Sequence, residues 1–300
     1  MINPMTKRRQ FLKSLVPFSI APSLLAQESK PPLTICLYTE QLVGLNYNEC
    51  ADAVAELGVT HIEATVRGGG QVLPERVADD LPKFVDALKK RNVAVGMIAT
   101  DVKDAHDATS RKVLETAATL GIQNYRMSYF RYDLSKPIKP QLEALKPQLA
   151  ELIAFGKELG ITAHFQNHAG ADVVGAPIWD VDLLMEGYDP KDFGIGFDIR
   201  HAMVEGGTSW PVQLQLMRDH LASVFVQDFR WEGRELVKAP LGKGNVDPKF
   251  ISMLKKMGWR GLICLRSEYV NAPNQRALAT AFLKAAEQDL KVLRGWIALH

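Results

Sequence analysis

The sequence is sparing with the features that usually announce a class. It has 3 cysteines in 300 residues. Cys36, Cys50 and Cys264 are odd in number, far apart and set in apolar or helical stretches. That excludes a disulfide framework or a cysteine-rich metal site and reads as buried thiols. Excess charge is also missing: 36 basic against 34 acidic residues leave a net +2. No strong field would draw a phosphate backbone or an anionic lipid surface, so nucleic acid is a poor partner. No apolar run approaches the ~20 residues that span a bilayer. No Gly-x-Gly-x-x-Gly turn follows the first strand, where Tyr38-Thr39-Glu40-Gln41 stands instead, so an open dinucleotide-binding sheet lacks its fingerprint. What is present is a hydrophobic content of 47%, enough to bury the core of one large α/β barrel.

The N-terminus carries an address. Thr6-Lys7-Arg8-Arg9-Gln10-Phe11-Leu12-Lys13 is followed by an apolar stretch from Ser14 to Leu25 that ends near Ala26. This resembles a bacterial twin-arginine export signal; an ordinary Sec signal is the alternative. Residues 1–26 are expected to be removed, leaving a periplasmic protein with no membrane anchor.

A junction recurs through the rest of the chain. Leu57-Gly58-Val59, Leu120-Gly121-Ile122, Leu159-Gly160-Ile161 and Met257-Gly258-Trp259 each end a helical pattern with Gly and enter an apolar strand, and Arg91-Asn92-Val93 does the same with Asn. Gly and Asn tolerate the left-handed conformation that caps a helix. The first four strands are expected near Leu33 to Tyr38, Thr60 to Val66, Val93 to Ala99 and Asn124 to Ser128. Four more are the apolar runs starting at Ile161, Gly194, Val224 and Leu262. Amphipathic segments such as Leu142 to Leu159 and Arg276 to Leu293 fill the gaps. Eight strand–helix pairs predict a single-domain (β/α)8 TIM barrel over residues 33–300. Gly68-Gly69-Gly70 reads as a loop that lets backbone approach a ligand.

Several of these strands end abruptly in polar residues, where such barrels bind ligands. Alternation puts His164, Gln166 and His168 on one face of the fifth strand. Asp198 ends the sixth and His201 follows three residues later, a pair suited to binding a metal or orienting an imidazole, although Asp198 could instead cap a turn. Phe225 and Gln227 share a face of the seventh strand, with Arg230-Trp231 beyond as a sugar-binding pair. Arg266 and Glu268 share a face of the eighth. Glu63, Arg67, Thr100-Asp101, Arg126 and Tyr129 add polar groups to the same rim.

These residues resemble the xylose isomerase-like TIM-barrel superfamily of sugar isomerases and epimerases. The resemblance rests on Ile62-Glu63, Gln166-Asn167-His168, Phe197-Asp198-Ile199-Arg200-His201, the loop Pro240-Leu241-Gly242-Lys243-Gly244-Asn245-Val246-Asp247, and Glu268-Tyr269. It implies a divalent metal held by a Glu, an Asp, a His and a Glu, with the glutamates serving as acid and base. Here the Asp is Asp198, but Gln166, Phe225 and Arg266 occupy the other three positions. Two repairs are chemically sound. A displaced site of His168, Asp198, His201 and Glu268 would suit Mn²⁺, Zn²⁺ or Fe²⁺ better than Mg²⁺; this is the preferred expectation. Otherwise the pocket works without metal, with Arg266 as the fixed cation and His168 or Glu268 moving the proton.

The function expected is isomerisation or epimerisation of a sugar or polyol through an enediolate. A lyase or hydratase on keto-sugars or glycosides and a non-catalytic carbohydrate-binding protein are the alternatives. Glu63, Arg67, Arg126, His201, Gln227, Trp231 and Lys243 are expected on the substrate, a small sugar or glycoside. Homo-oligomerisation stays open.

Overall fold

The computed structural model describes residues 33–300; residues 1–32, and with them the expected export signal, lie outside the described residues. Eight parallel strands close into a barrel: β1 (Thr34–Tyr38), β2 (His61–Val66), β3 (Ala94–Thr100), β4 (Asn124–Arg126), β5 (Thr162–Gln166), β6 (Phe193–Asp198), β7 (Leu221–Val226) and β10 (Leu262–Leu265). The seam is the β1–β10 pair, in register at Cys36 and Cys264. Helices α1 (Tyr47–Glu56), α2 (Val77–Lys89), α3 (Ala108–Thr119), α4 (Ile138–Leu159), α5 (Ile178–Met185), α6 (Ile199–Gly206), α7 (Trp210–Leu216), α8 (Lys249–Lys256) and α9 (Gln275–Leu299) follow the strands. The main core lies between the outer faces of the strands and these helices.

Local chemistry accounts for the helix ends. Gly58, Gly121, Gly160 and Gly258 all have positive φ, and Asn92, at φ 57°, is the one non-glycine residue that does so among the described residues. A left-handed residue there lets the chain leave each helix and turn into the next strand. At their starts, α1 has a capping box between Asn46 and Glu49, and Asp107 and Asn274 cap α3 and α9.

One feature departs from the expected plan. An antiparallel hairpin, β8 (Asp228–Glu232) and β9 (Glu235–Ala239), is inserted between β7 and α8. It turns at Gly233, φ 64°. In the Gly68–Gly70 loop, Gly68 N donates to Asp101, and a Cβ on Gly70 would press into Thr65 at 2.9 Å.

The lumen is layered. At its floor His164 bonds Ser223 Oγ at 2.9 Å and Asn124 Oδ1 at 3.1 Å, and burial pushes its pKa down to about 3. Above it Cys36, Met97, Phe225 and Cys264 form an apolar plug. Phe225 fits because Gly196 faces it; a Cβ there would collide with the ring. Over this plug lies the polar layer at the carboxyl ends of the strands.

Candidate active site

Glu63, on β2, is fully buried and receives two guanidinium groups. Its Oε1 accepts from Arg126 Nε and Arg266 Nη2, each at 2.9 Å, and its Oε2 from Arg266 Nη2 at 3.0 Å. Arg266 is packed between aromatic faces, 4.3 Å from the centroid of Tyr38 and 4.5 Å from that of Phe225, an arrangement that stabilises a desolvated cation. Burial opposes its charge, but Glu63 together with Tyr38, Glu268 and Tyr129 outweighs burial and the pKa is raised. The triad therefore carries one net positive charge just beneath the mouth.

Asp198, where β6 ends, is the second centre. Its Oδ2 accepts from the amides of Gln166 at 2.8 Å and Gln227 at 2.9 Å. Its Oδ1 accepts from His201 N at 3.1 Å, which makes Asp198 the N-cap of α6. Asn167, on the opposite face of the chain from Gln166, clamps the Asp198 backbone with bonds of 2.7 and 3.1 Å. Burial opposes the Asp198 charge, yet His201, Arg266 and these hydrogen bonds hold its pKa below the usual value. Tyr129 joins the two centres, donating to Gln166 Oε1 at 2.8 Å and accepting from Arg126 Nη1 at 3.0 Å.

His168 and His201 stack at 3.9 Å between ring centroids, and Tyr129 meets His168 edge-on. His168 Nδ1 lies 2.8 Å from the Ala169 carbonyl oxygen. A carbonyl only accepts, so Nδ1 carries the hydrogen and Nε2 keeps its lone pair. Burial lowers the pKa of His168 and takes that of His201 down to about 3, so both rings are neutral at pH 7.

The remaining predicted residues sit further out. Glu268 pairs with Lys238 of β9 at 2.9 Å and lies 3.6 Å from Arg266 Nη1. Burial works against its charge, but Arg266 and Lys238 hold its pKa low. Arg67 donates to the Tyr38 hydroxyl at 2.8 Å and pairs with Glu40. Trp231 stands on the hairpin, 49% exposed, edge-on to Phe229. Lys243 rides a loop that encloses the Asp228 carboxylate, which accepts from the backbone N–H of Phe229, Gly242, Gly244 and Val246 at 2.8–3.0 Å. That motif is a structural nest. Asp101 likewise faces away, toward Gly68 and a cavity of about 290 Å³.

The displaced metal site does not assemble. Among the described residues no three His, Cys, Asp or Glu side chains are grouped so as to hold a metal ion. Glu268 is held by Lys238 and Arg266, while both oxygens of Asp198 are engaged by amide donors. The usual ligand positions fit no better. Gln166, Phe225 and Arg266 surround Asp198 there, and a guanidinium repels a cation. The expectation of Mn²⁺, Zn²⁺ or Fe²⁺ at His168, Asp198, His201 and Glu268 is therefore corrected: these side chains do not fit such an ion.

Sequence reading missed Lys238, because the hairpin that carries it was not foreseen. Its signal was the Glu232-Gly233 turn between two short runs with strand-forming residues, Phe229-Arg230-Trp231 and Leu236-Val237.

A match to the xylose isomerase-like TIM barrel model runs from residue 51 to 295, nearly the whole barrel. The chain belongs to this family. Among solved structures similar to this xylose isomerase-like barrel is a D-allulose 3-epimerase from Methylomonas sp. in complex with D-allulose. It has a TM-score of 0.65 and 15% identity, over 88% of this chain and 97% of that one. A 3-keto-D-glucoside 4-epimerase from E. coli gives 0.64 and 15%, over 88% and 99%. A probable 3-DHS dehydratase from Bacillus anthracis gives 0.62 and 12%, over 84% and 98%. At such identities the likeness is one of fold. No curated protein sequence matches the chain.

Proposed function

We propose that the barrel mouth binds a sugar or related hydroxylated carbonyl compound and moves a proton on the carbon next to the carbonyl, without a bound metal. The observation that carries this reading is His168. It is a neutral imidazole at the rim, with Nδ1 tied to the Ala169 carbonyl and Nε2 free to accept a proton. Nε2 takes the proton from carbon, and the bonding pair moves into the carbonyl to leave an enediolate. The charge that develops on oxygen is met by the net positive Arg126–Glu63–Arg266 triad, a preorganised dipole array of the kind that lowers such barriers. Returning the proton to the other face or to the neighbouring carbon completes an epimerisation or isomerisation. Loss of a leaving group from the next carbon completes an elimination. That D-allulose and 3-keto-D-glucoside epimerases and a dehydratase share the fold supports this range of chemistry.

The test is solvent exchange. The mature protein in D₂O should introduce deuterium beside the carbonyl of at least one keto-sugar, read by NMR. His168→Gln should slow exchange by at least ~100-fold, and a chelator should leave it unchanged. A protein that binds a sugar but never exchanges its proton would instead be a carbohydrate-binding member of the family. Loss of exchange on chelation would restore the metal. Delivery to the periplasm through Arg8-Arg9 belongs to the same proposal. Replacing both by Lys should retain the protein in the cytoplasm, and unchanged export would refute the twin-arginine route.

A further inference from the structure

The first turn of α6 contains a charge that the site network leaves unbalanced. Arg200 is only 7% exposed, yet its Nε is a buried donor with no hydrogen-bond partner. The neighbouring carboxylates are committed elsewhere: Asp198 to Gln166, Gln227 and the α6 backbone, and Glu205 to Gly170 N at 3.0 Å. The adjacent His201 also has a buried Nδ1 without a partner, and so does Nε of Arg266 across the mouth. Arg200 directly precedes His201 in the first turn of α6, and the His201 ring stacks on that of His168.

A buried guanidinium with no counter-charge is costly, and its orphaned donor calls for a missing acceptor. The missing partner must be negative and must accept hydrogen bonds. Neutral hydroxyls would leave the charge uncompensated. A carboxylate or phosphoryl group would engage the planar fork with paired bonds.

We propose that Arg200, in the first turn of α6, forms an oxyanion subsite, and that the compound handled at this mouth is an acidic sugar rather than a neutral one. The proposal rests on reading the mouth as a sugar site, and it names the substrate class. The oxyanion is a carboxylate or a phosphate monoester.

Binding of matched pairs, measured by calorimetry, tests it: D-glucuronate against D-glucose, 2-keto-D-gluconate against D-fructose, and D-fructose 6-phosphate against D-fructose. At least one acidic member should bind 10-fold or more tightly than its neutral partner, and which pair shows this tells carboxylate from phosphate. Arg200→Met should weaken the acidic member at least 10-fold more than the neutral one, and Arg200→Lys should lie between. The ligand-free Arg200→Met protein should melt above the wild type, since an uncompensated charge is removed. Equal affinities within every pair, a preference that survives in Arg200→Met, or a variant that melts lower or fails to fold would each overturn the subsite. Failure of the enolisation reading is separate. Acid-selective binding lost in Arg200→Met, with no deuterium exchange on any compound, leaves the subsite standing and removes the catalysis. Exchange on neutral sugars without acid preference does the reverse.

Discussion

The two sides of the barrel mouth are built on opposite terms. On the side of β1, β2, β4 and β10 the charged groups are largely paired with one another: Glu63 takes both Arg126 and Arg266, and Glu40 takes Arg67, which leaves one positive charge and Arg266 Nε over. On the side of β5, β6 and α6, Arg200 Nε and His201 Nδ1 are buried without partners, and His168 offers an unused nitrogen. A paired network holds its own shape and offers a ligand chiefly the field of its leftover charge. An unsaturated one is stabilised when a ligand arrives. Under the proposed function, the first side would supply framework and field and the second contact and proton transfer.

Breaking the paired side should have the largest effect. Glu63→Gln would leave two buried guanidinium groups sharing no carboxylate, a loss of about 3–5 kcal/mol. Arg266→Glu would set two carboxylates against each other and should cost at least as much, even though it restores the residue expected from the family resemblance. Denaturant titration checks both, and a change below about 1 kcal/mol in either would mean the triad is not a structural unit.

Acid should act next, through the imidazoles. His164 and His201 are neutral in the fold, with pKa values near 3, because burial disfavours their charged forms. Below about pH 6.5 the unfolded chain takes up protons that the native state refuses. Stability is thus full above that pH and falls as pH drops toward 3, by up to ~1.4 kcal/mol per pH unit for each ring. Urea midpoints at pH 7 and pH 5 should differ by on the order of 2–4 kcal/mol in stability. His164→Asn should remove roughly half of the slope; an unchanged slope would locate the titration elsewhere.

Asp198→Asn sharpens the comparison because Asp198 lies where the two sides meet. Asn keeps a cap oxygen for His201 N but turns an amide toward the Gln166 and Gln227 amides, so about 1–3 kcal/mol should be lost. Deuterium exchange should fall with it, since the His168–His201 pair is built on that cap. If stability is lost while exchange per folded molecule is retained, Asp198 is a cap and nothing more.

The smallest effect should come from the hairpin. Lys238 is half exposed, so solvent screens its pair with Glu268, and Lys238→Ala should cost less than ~1 kcal/mol in a thermal melt. A larger loss would mean that the hairpin is a working part of the barrel wall.

What the sequence determined by itself is everything that local chemistry controls. Left-handed residues at Gly58, Asn92, Gly121, Gly160 and Gly258 and the apolar runs between them define strand–helix units. Such units have few ways to close other than a barrel. Strand alternation likewise put Gln166, Asp198, Gln227 and Arg266 at the carboxyl ends of the strands. Which of those groups meet was decided only by the tertiary structure. Glu63 finds Arg266 203 residues later in the chain. Glu268 turns toward a lysine on a hairpin that the apolar periodicity did not reveal, and so does not join His168, Asp198 and His201 around a metal. Caps and strand faces depend on a residue and its near neighbours. Charge pairing depends on distances set by barrel closure, and no spacing along the chain encodes them.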